Sequence, residues 1–187
     1  MVDTEPKIVG RKIEVVQGDF NDVVDRILFS GRITQKTATF CLLDQRTFEC
    51  CWETVRKLAA YKKENKIELF YFLGTGWLPR ALAAVRGGSE QVAAWWGRDD
   101  WKNLQGMKPL QRADAFCRRF KEELGYTYAY AWPIYSKSGR EGRVMYHMIH
   151  CTDHDEAPKL MSRAYRYATT PIEPAEQLEL AFMKLHV

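Results

Sequence analysis

Apolar and polar positions alternate through "KIEVVQGDF" (12–20), and β-branched residues dominate it, so the pattern predicts a strand that ends near Gly18. "NDVVDRILF" (21–29) then spaces Val23, Val24, Ile27 and Leu28 at helical intervals, with Asn21 placed to cap the helix. "TATFCLLD" (37–44) is almost unbroken apolar sequence, the pattern of a strand buried on both faces of a parallel sheet. The helix after it puts Trp52, Val55, Leu58 and Ala59 on one side and a Glu53–Lys57 pair on the other. "KIELFYFLG" (66–74) predicts a third strand, again too apolar for a wet face. This strand–helix–strand–helix–strand order calls for parallel strands joined by right-handed crossovers. Ligands in such sheets bind beyond the C-terminal strand ends, where Asp19, Asp44 and Gly74 all fall.

From residue 75 to 125 the pattern becomes a helical excursion. It contains a Gly-Gly break, a cluster of three tryptophans (Trp95, Trp96 and Trp101) and one clear helix, "LQRADAFCRRFKEELG" (110–125). That helix presents Leu110, Ala113, Cys117, Phe120 and Leu124 inward and ends at Gly125. Residues 126–151 read as two antiparallel strands joined by a polar turn around Ser138–Gly142. A core helix follows, with Asp155 as its cap and Pro158 in its first turn. A tail helix is expected over 173–186. The expected architecture is one α/β domain over 1–187, with an N-terminal extension at 1–11. It is a three-layer, Rossmann-like mixed sheet that closes on a C-terminal antiparallel hairpin.

Composition excludes more than it assigns. The chain has 187 residues, 46% of them hydrophobic, enough for one sizeable core. No apolar run approaches the roughly eighteen residues of a membrane span, and the start has no secretory h-region. The five cysteines, Cys41, Cys50, Cys51, Cys117 and Cys151, form no CxxC pattern, so reduced thiols in the cytoplasm are expected rather than disulfides or a zinc ribbon. "HMIHCTDH" (147–154) is a poor metal site, because a strand sends His147 and Cys151 to one face and His150 to the other. Lys and Arg exceed Asp and Glu by 28 to 24, a net +4 that is compatible with a nucleic-acid partner without demanding one.

Several short stretches together resemble one family. "VVQGDFNDVV", "FCLLDQRTFECCWETVRKLA", "LGTGWLPRAL", the "WWG" with a following Trp, and "VMYHMIHCTDHDEAPKLMSRA" are similar to the three-Cys-motif partner proteins, across residues 12 to 168. That resemblance implies the C-terminal part of a class I S-adenosylmethionine-dependent methyltransferase-like fold acting on nucleic acid. The first cofactor-binding βαβ unit, with its glycine-rich turn, has no counterpart here, and Asp44-Gln45-Arg46-Thr47 stands where the family tends to have Asp-Pro. An apolar sheet edge would then either take up the strand at 12–17, giving five strands, or stay open for a second protein chain or another copy.

The resemblance assigns candidate roles, each with a plainer alternative. Asp19 and Phe20 would hold the adenine of S-adenosylmethionine through a carboxylate and a ring; the plainer reading makes Asp19 the start of the cap of the following helix. Asp44 would position the group to be methylated, since methyl transfer is chiefly in-line positioning; the alternative is a strand-end Asp bonded to its own loop. In "GTGWLPR", Gly74 allows close backbone approach, Trp77 offers a stacking face and Arg80 an anion partner; a tight turn lidded by Trp77 explains the same residues. Trp95, Trp96 and Trp101 interleave with Arg98 and Lys102, a mix that single-stranded nucleic acid can use, with Trp96 and Arg98 as its contacts; packing residues are the alternative. Lys137, Arg140 and Arg143 add charge at the hairpin. A non-catalytic nucleic-acid- or protein-binding module on the same fold is the rival to the enzyme. No metal is expected in either case.

Overall fold

The structure is a computed structural model and describes residues 12–85, 90–137 and 140–170. Four strands, β1 (Phe40–Leu43), β2 (Glu68–Leu73), β3 (Tyr128–Lys137) and β4 (Glu141–Thr152), form one mixed sheet in the order β1, β2, β4, β3. β1 and β2 run parallel with Leu42 opposite Phe70. β4 runs antiparallel to both β2 and β3, and Ile149 lies level with Tyr71 and Ala131. The helices are α1 (Phe20–Leu28), α2 (Trp52–Ala60), α3 (Leu78–Ala84), α4 (Glu90–Trp96), α5 (Pro109–Glu122) and α6 (Ala157–Thr169), with a 3₁₀ turn at Asp99–Leu104.

Burial in β2 follows the two-residue period of a strand. Leu69, Tyr71 and Leu73 are buried, while Glu68, Phe70 and Phe72 are half-buried. Tyr71 packs on Phe116 and Phe120 of α5 at 5.5 and 5.6 Å, and Phe120 meets Trp52 of α2 at 5.3 Å. Trp95 of α4 closes on Phe116 at 5.2 Å. Each ring so buried contributes about 2–3 kcal/mol relative to exposure. Gly125 ends α5 at φ +68°, its N–H donating to the Lys121 carbonyl at 3.1 Å, and Lys66 Nζ donates to the carbonyls of Leu124 and Gly125.

Several expectations are corrected. Residues 12–18 form no strand: Ile13 and Val15 are 60% and 81% exposed, and α1 begins at Phe20. A strand needs a hydrogen-bonded neighbour, and no described strand lies beside this segment. Among the described residues the sheet therefore has one parallel pair rather than three parallel strands, four strands rather than five, and no strand beyond β1. The apolar runs of β1 and β2 are not buried on both faces either. Phe40 and Leu42 are 56% and 54% exposed, because α2, α4 and α5 gather on the Tyr71 face. α6 covers the opposite face only at β3, through Tyr165 against Trp132 at 5.0 Å. Leu110, expected inside, is exposed at the start of α5, while Ala113, Cys117, Phe120 and Leu124 are buried. Asp155 accepts from Tyr128 Oη at 3.0 Å and leaves the cap of α6 to Glu156. The tail helix predicted at 173–186 and the extension at 1–11 lie outside the described residues.

Candidate functional site

At the C-terminal end of β1 a cavity of about 530 Å3 is lined by Asp19, Phe20, Leu42, Leu43, Asp44, Gln45, Arg46, Glu49 and Cys50. It brings together three of the residues singled out in the sequence: Asp19, Phe20 and Asp44. Asp19 arrives there because it caps α1: its Oδ1 accepts from the Asn21 backbone N–H at 2.8 Å and from Asn21 Nδ2 at 2.9 Å. Its other carboxylate oxygen has no described protein partner. Phe20, the first residue of α1, is half-buried against the core.

Asn21 was expected to cap α1; instead it sits inside the helix and ties it to α2. Its Oδ1 accepts from Cys51 N–H at 2.9 Å and Thr54 Oγ1 at 2.8 Å, and its Nδ2 donates to the Glu49 carbonyl at 2.7 Å. Gln45 does similar work on the other wall. It is 7% exposed, donates through Nε2 to the Phe72 carbonyl at 3.3 Å, and accepts from Cys50 N–H at 3.1 Å. A glutamine directly after Asp44 thus stitches the end of β1 to β2 and to the entrance of α2. Neither role was visible in the sequence, because Asn21 meets Cys51 thirty residues away and Gln45 meets Phe72 twenty-seven residues away. The only sequence signal was a polar residue at a helix start and another at a strand end. Cys50 closes the floor, and burial first, then Cys41, Cys51, Asp19 and Glu49, pushes its thiol up to about 12.

Comparison with protein families, with characterised proteins and with solved structures finds no match to this chain. The site has to be read from its own geometry.

The "GTGWLPR" residues do not line this cavity. Trp77 folds over Gly74, where a Cβ would meet its ring at 2.6 Å, so glycine is required there. Its Nε1 donates to the Arg46 carbonyl at 2.9 Å, and its ring stands edge-on to Tyr146 at 4.6 Å. Trp77 is therefore a staple between the cavity's outer loop and β4 rather than a free stacking surface. Arg80 is exposed in α3, away from the residues that line the cavity.

Trp96 and Arg98 also stand elsewhere. Trp95, Trp96 and Trp101 are 0%, 5% and 5% exposed, so none offers a face to a base. The guanidinium of buried Arg119 lies between the rings of Trp52 and Trp96, 3.9 and 4.2 Å from their centres. It donates to both carboxylate oxygens of Glu123 at 2.6 and 2.8 Å, and Arg98 reaches the same carboxylate at 2.6 Å. These hydrogen bonds, led by that from Arg119, hold the Glu123 carboxyl below its usual range. The aromatic–basic mix is an internal clamp, which explains its residue types without a ligand.

On β4, His147 and Cys151 face the core and His150 the opposite side. His147 Nδ1 lies 3.1 Å from Thr75 Oγ1, and His150 Nε2 lies 2.5 Å from Glu68 Oε1. No group of three metal-ligating side chains converges among the described residues. No described helix is long and apolar enough to cross a membrane.

Proposed function

We propose that this chain is a methyltransferase-like α/β protein of the three-Cys-motif partner type, whose β1-end cavity takes the adenosine part of S-adenosylmethionine and which acts on nucleic acid. The observation that carries the reading is the convergence of Asp19, Phe20 and Asp44 on one cavity at the C-terminal end of a parallel strand pair. The residues fit an adenosine: one carboxylate oxygen of Asp19 is without a partner among the described residues, beside the half-buried ring of Phe20. Asp44, across the cavity, would orient the acceptor group. The cofactor supplies an electrophilic methyl; the chain's part is to hold the two reactants in line. Among the described residues no clustered glycines form a cradle for the methionine end, so the fit is to the adenosine end alone.

The test is calorimetric titration with S-adenosylmethionine and with S-adenosylhomocysteine. Micromolar binding is expected, weakened about tenfold or more by Asp19→Asn. Asparagine keeps the helix cap but replaces the free acceptor with a donor, so the loss is not one of folding. Binding no tighter than millimolar overturns the reading. The rival, a non-catalytic binding module, is favoured by one specific observation: Asp19 already has structural work as the cap of α1.

A further inference from the structure

Six of the chain's 28 lysines and arginines fall on α6 and the β3–β4 hairpin. α6 carries Lys159, Arg163 and Arg166 and no acid. At 3.6 residues per turn these three fall within a sector of about 60°. All are exposed, and beside them Leu160 and Tyr167 are 57% and 69% exposed. The β3–β4 hairpin adds Lys137, Arg140 and Arg143, also exposed. Arg140 joins the two elements: its Nε donates to Thr169 Oγ1 at 3.1 Å, and its guanidinium lies 5.2 Å from the centre of the Tyr165 ring. Arg140 thus joins the three cations of the hairpin to the three of α6. Against them stand exposed Asp155 and Glu156 at the far end of α6, Glu156 pairing with Lys159 at 2.7 Å, and Glu141 in the hairpin sequence.

The topology sets where this surface points. β4 runs antiparallel to β2 with His147 opposite Leu73, so residues 141–146 extend past the rim where β1 and β2 end. The basic hairpin and the β1-end cavity share that rim. From β1 across to β3 is three strand spacings, about 14 Å, or about four stacked nucleotides of one strand.

We infer that the α6–hairpin face binds the phosphate backbone of single-stranded nucleic acid and leads it along the rim toward the Asp19–Asp44 cavity. This deepens the proposed function by placing its substrate, and rests on that reading only for the direction of the strand. Four of the six cations are arginines, whose planar forks match phosphate oxygens in pairs. Tyr167 supplies an exposed ring for a base, the role that the buried tryptophans cannot fill. Leu160 and Tyr167 alone give too little apolar surface to insert into a lipid interface.

The experiment is fluorescence anisotropy of the full chain with a labelled oligouridine RNA of about twenty nucleotides and the matching single-stranded DNA, from about 50 to 200 mM salt. Binding is expected to weaken with salt at a log–log slope of about −0.7 per phosphate contacted, so near −3 for four to five contacts. The double variant Arg163→Glu, Arg166→Glu should lose at least tenfold in affinity and show a shallower slope, as should Arg140→Ala to a lesser degree. The double variant Arg26→Glu, Arg56→Glu, on the exposed faces of α1 and α2, serves as a control of equal charge change and should behave as wild type. No binding at low salt, binding retained by the double variant, or equal loss in the control each overturns the inference. So does salt-sensitive binding to anionic phosphatidylserine vesicles without any to RNA or DNA. The double variant should still titrate with S-adenosylhomocysteine as wild type does, so failure here and failure of the cavity reading are told apart.

Discussion

Single residues near the rim have work that their types alone do not announce. His147 is 2% exposed, and burial holds its imidazole below the usual range, only partly offset by Asp114. The folded chain thus keeps His147 neutral where the unfolded chain takes up a proton. Stability is intact above the unfolded value of about 6.5 and falls as the pH drops below it, until the folded form also protonates. The slope for one such group is at most about 1.4 kcal/mol per pH unit. Urea midpoints at pH 8, 6.5 and 5 are expected to fall over the second interval only, and His147→Gln should flatten that fall. An unchanged slope in the variant would assign the effect to other groups. Asp44 was placed at the rim by a strand end that the structure keeps, whereas Asp19 and Phe20 were placed there by a resemblance and by a strand at 12–17 that does not form, and they reach the cavity as the start of α1. Asn21, Gln45 and the Arg119 clamp were not legible, because their meaning lies in partners far along the chain.

At the scale of elements, the sequence was clearest where a helix has one apolar stripe and a polar remainder. α2 and α5 follow their stripes, apart from Leu110, which α5 begins before it reaches the core. The strands misled because an apolar run records what a face can bury, not whether anything covers it. Phe40 and Leu42 sit on an edge strand whose outer side has no described partner, and β1 carries no charge to discourage one. Sedimentation at rising protein concentration should therefore show association, and Phe40→Lys with Leu42→Lys should remove it while leaving the melting temperature within a few degrees. A monomer at all concentrations would mean that this edge stays unpaired. The stretch 12–18 misled in the same way: its alternation is that of a strand, but alternation supplies no neighbour.

For the whole molecule, topology brings the cavity and the basic hairpin to one rim. The parallel pair ends there with the Asp19–Asp44 cavity, and the antiparallel hairpin carries its arginines past the same level. The core beneath is held by the Trp52–Tyr71–Phe116–Phe120 cluster and by Arg119 between two tryptophans, so the aromatic wealth of residues 95–101 serves stability. The central claim is that the β1-end cavity receives an adenosyl group, and amide chemical shifts of the nitrogen-15-labelled chain titrated with S-adenosylhomocysteine test it most directly. The predicted result is saturable shifts confined to the amides of Asp19, Phe20 and Asp44–Arg46. Shifts centred instead on a separate cavity lined by Lys36–Thr39 and Thr152–Glu156, or none at all, would contradict it.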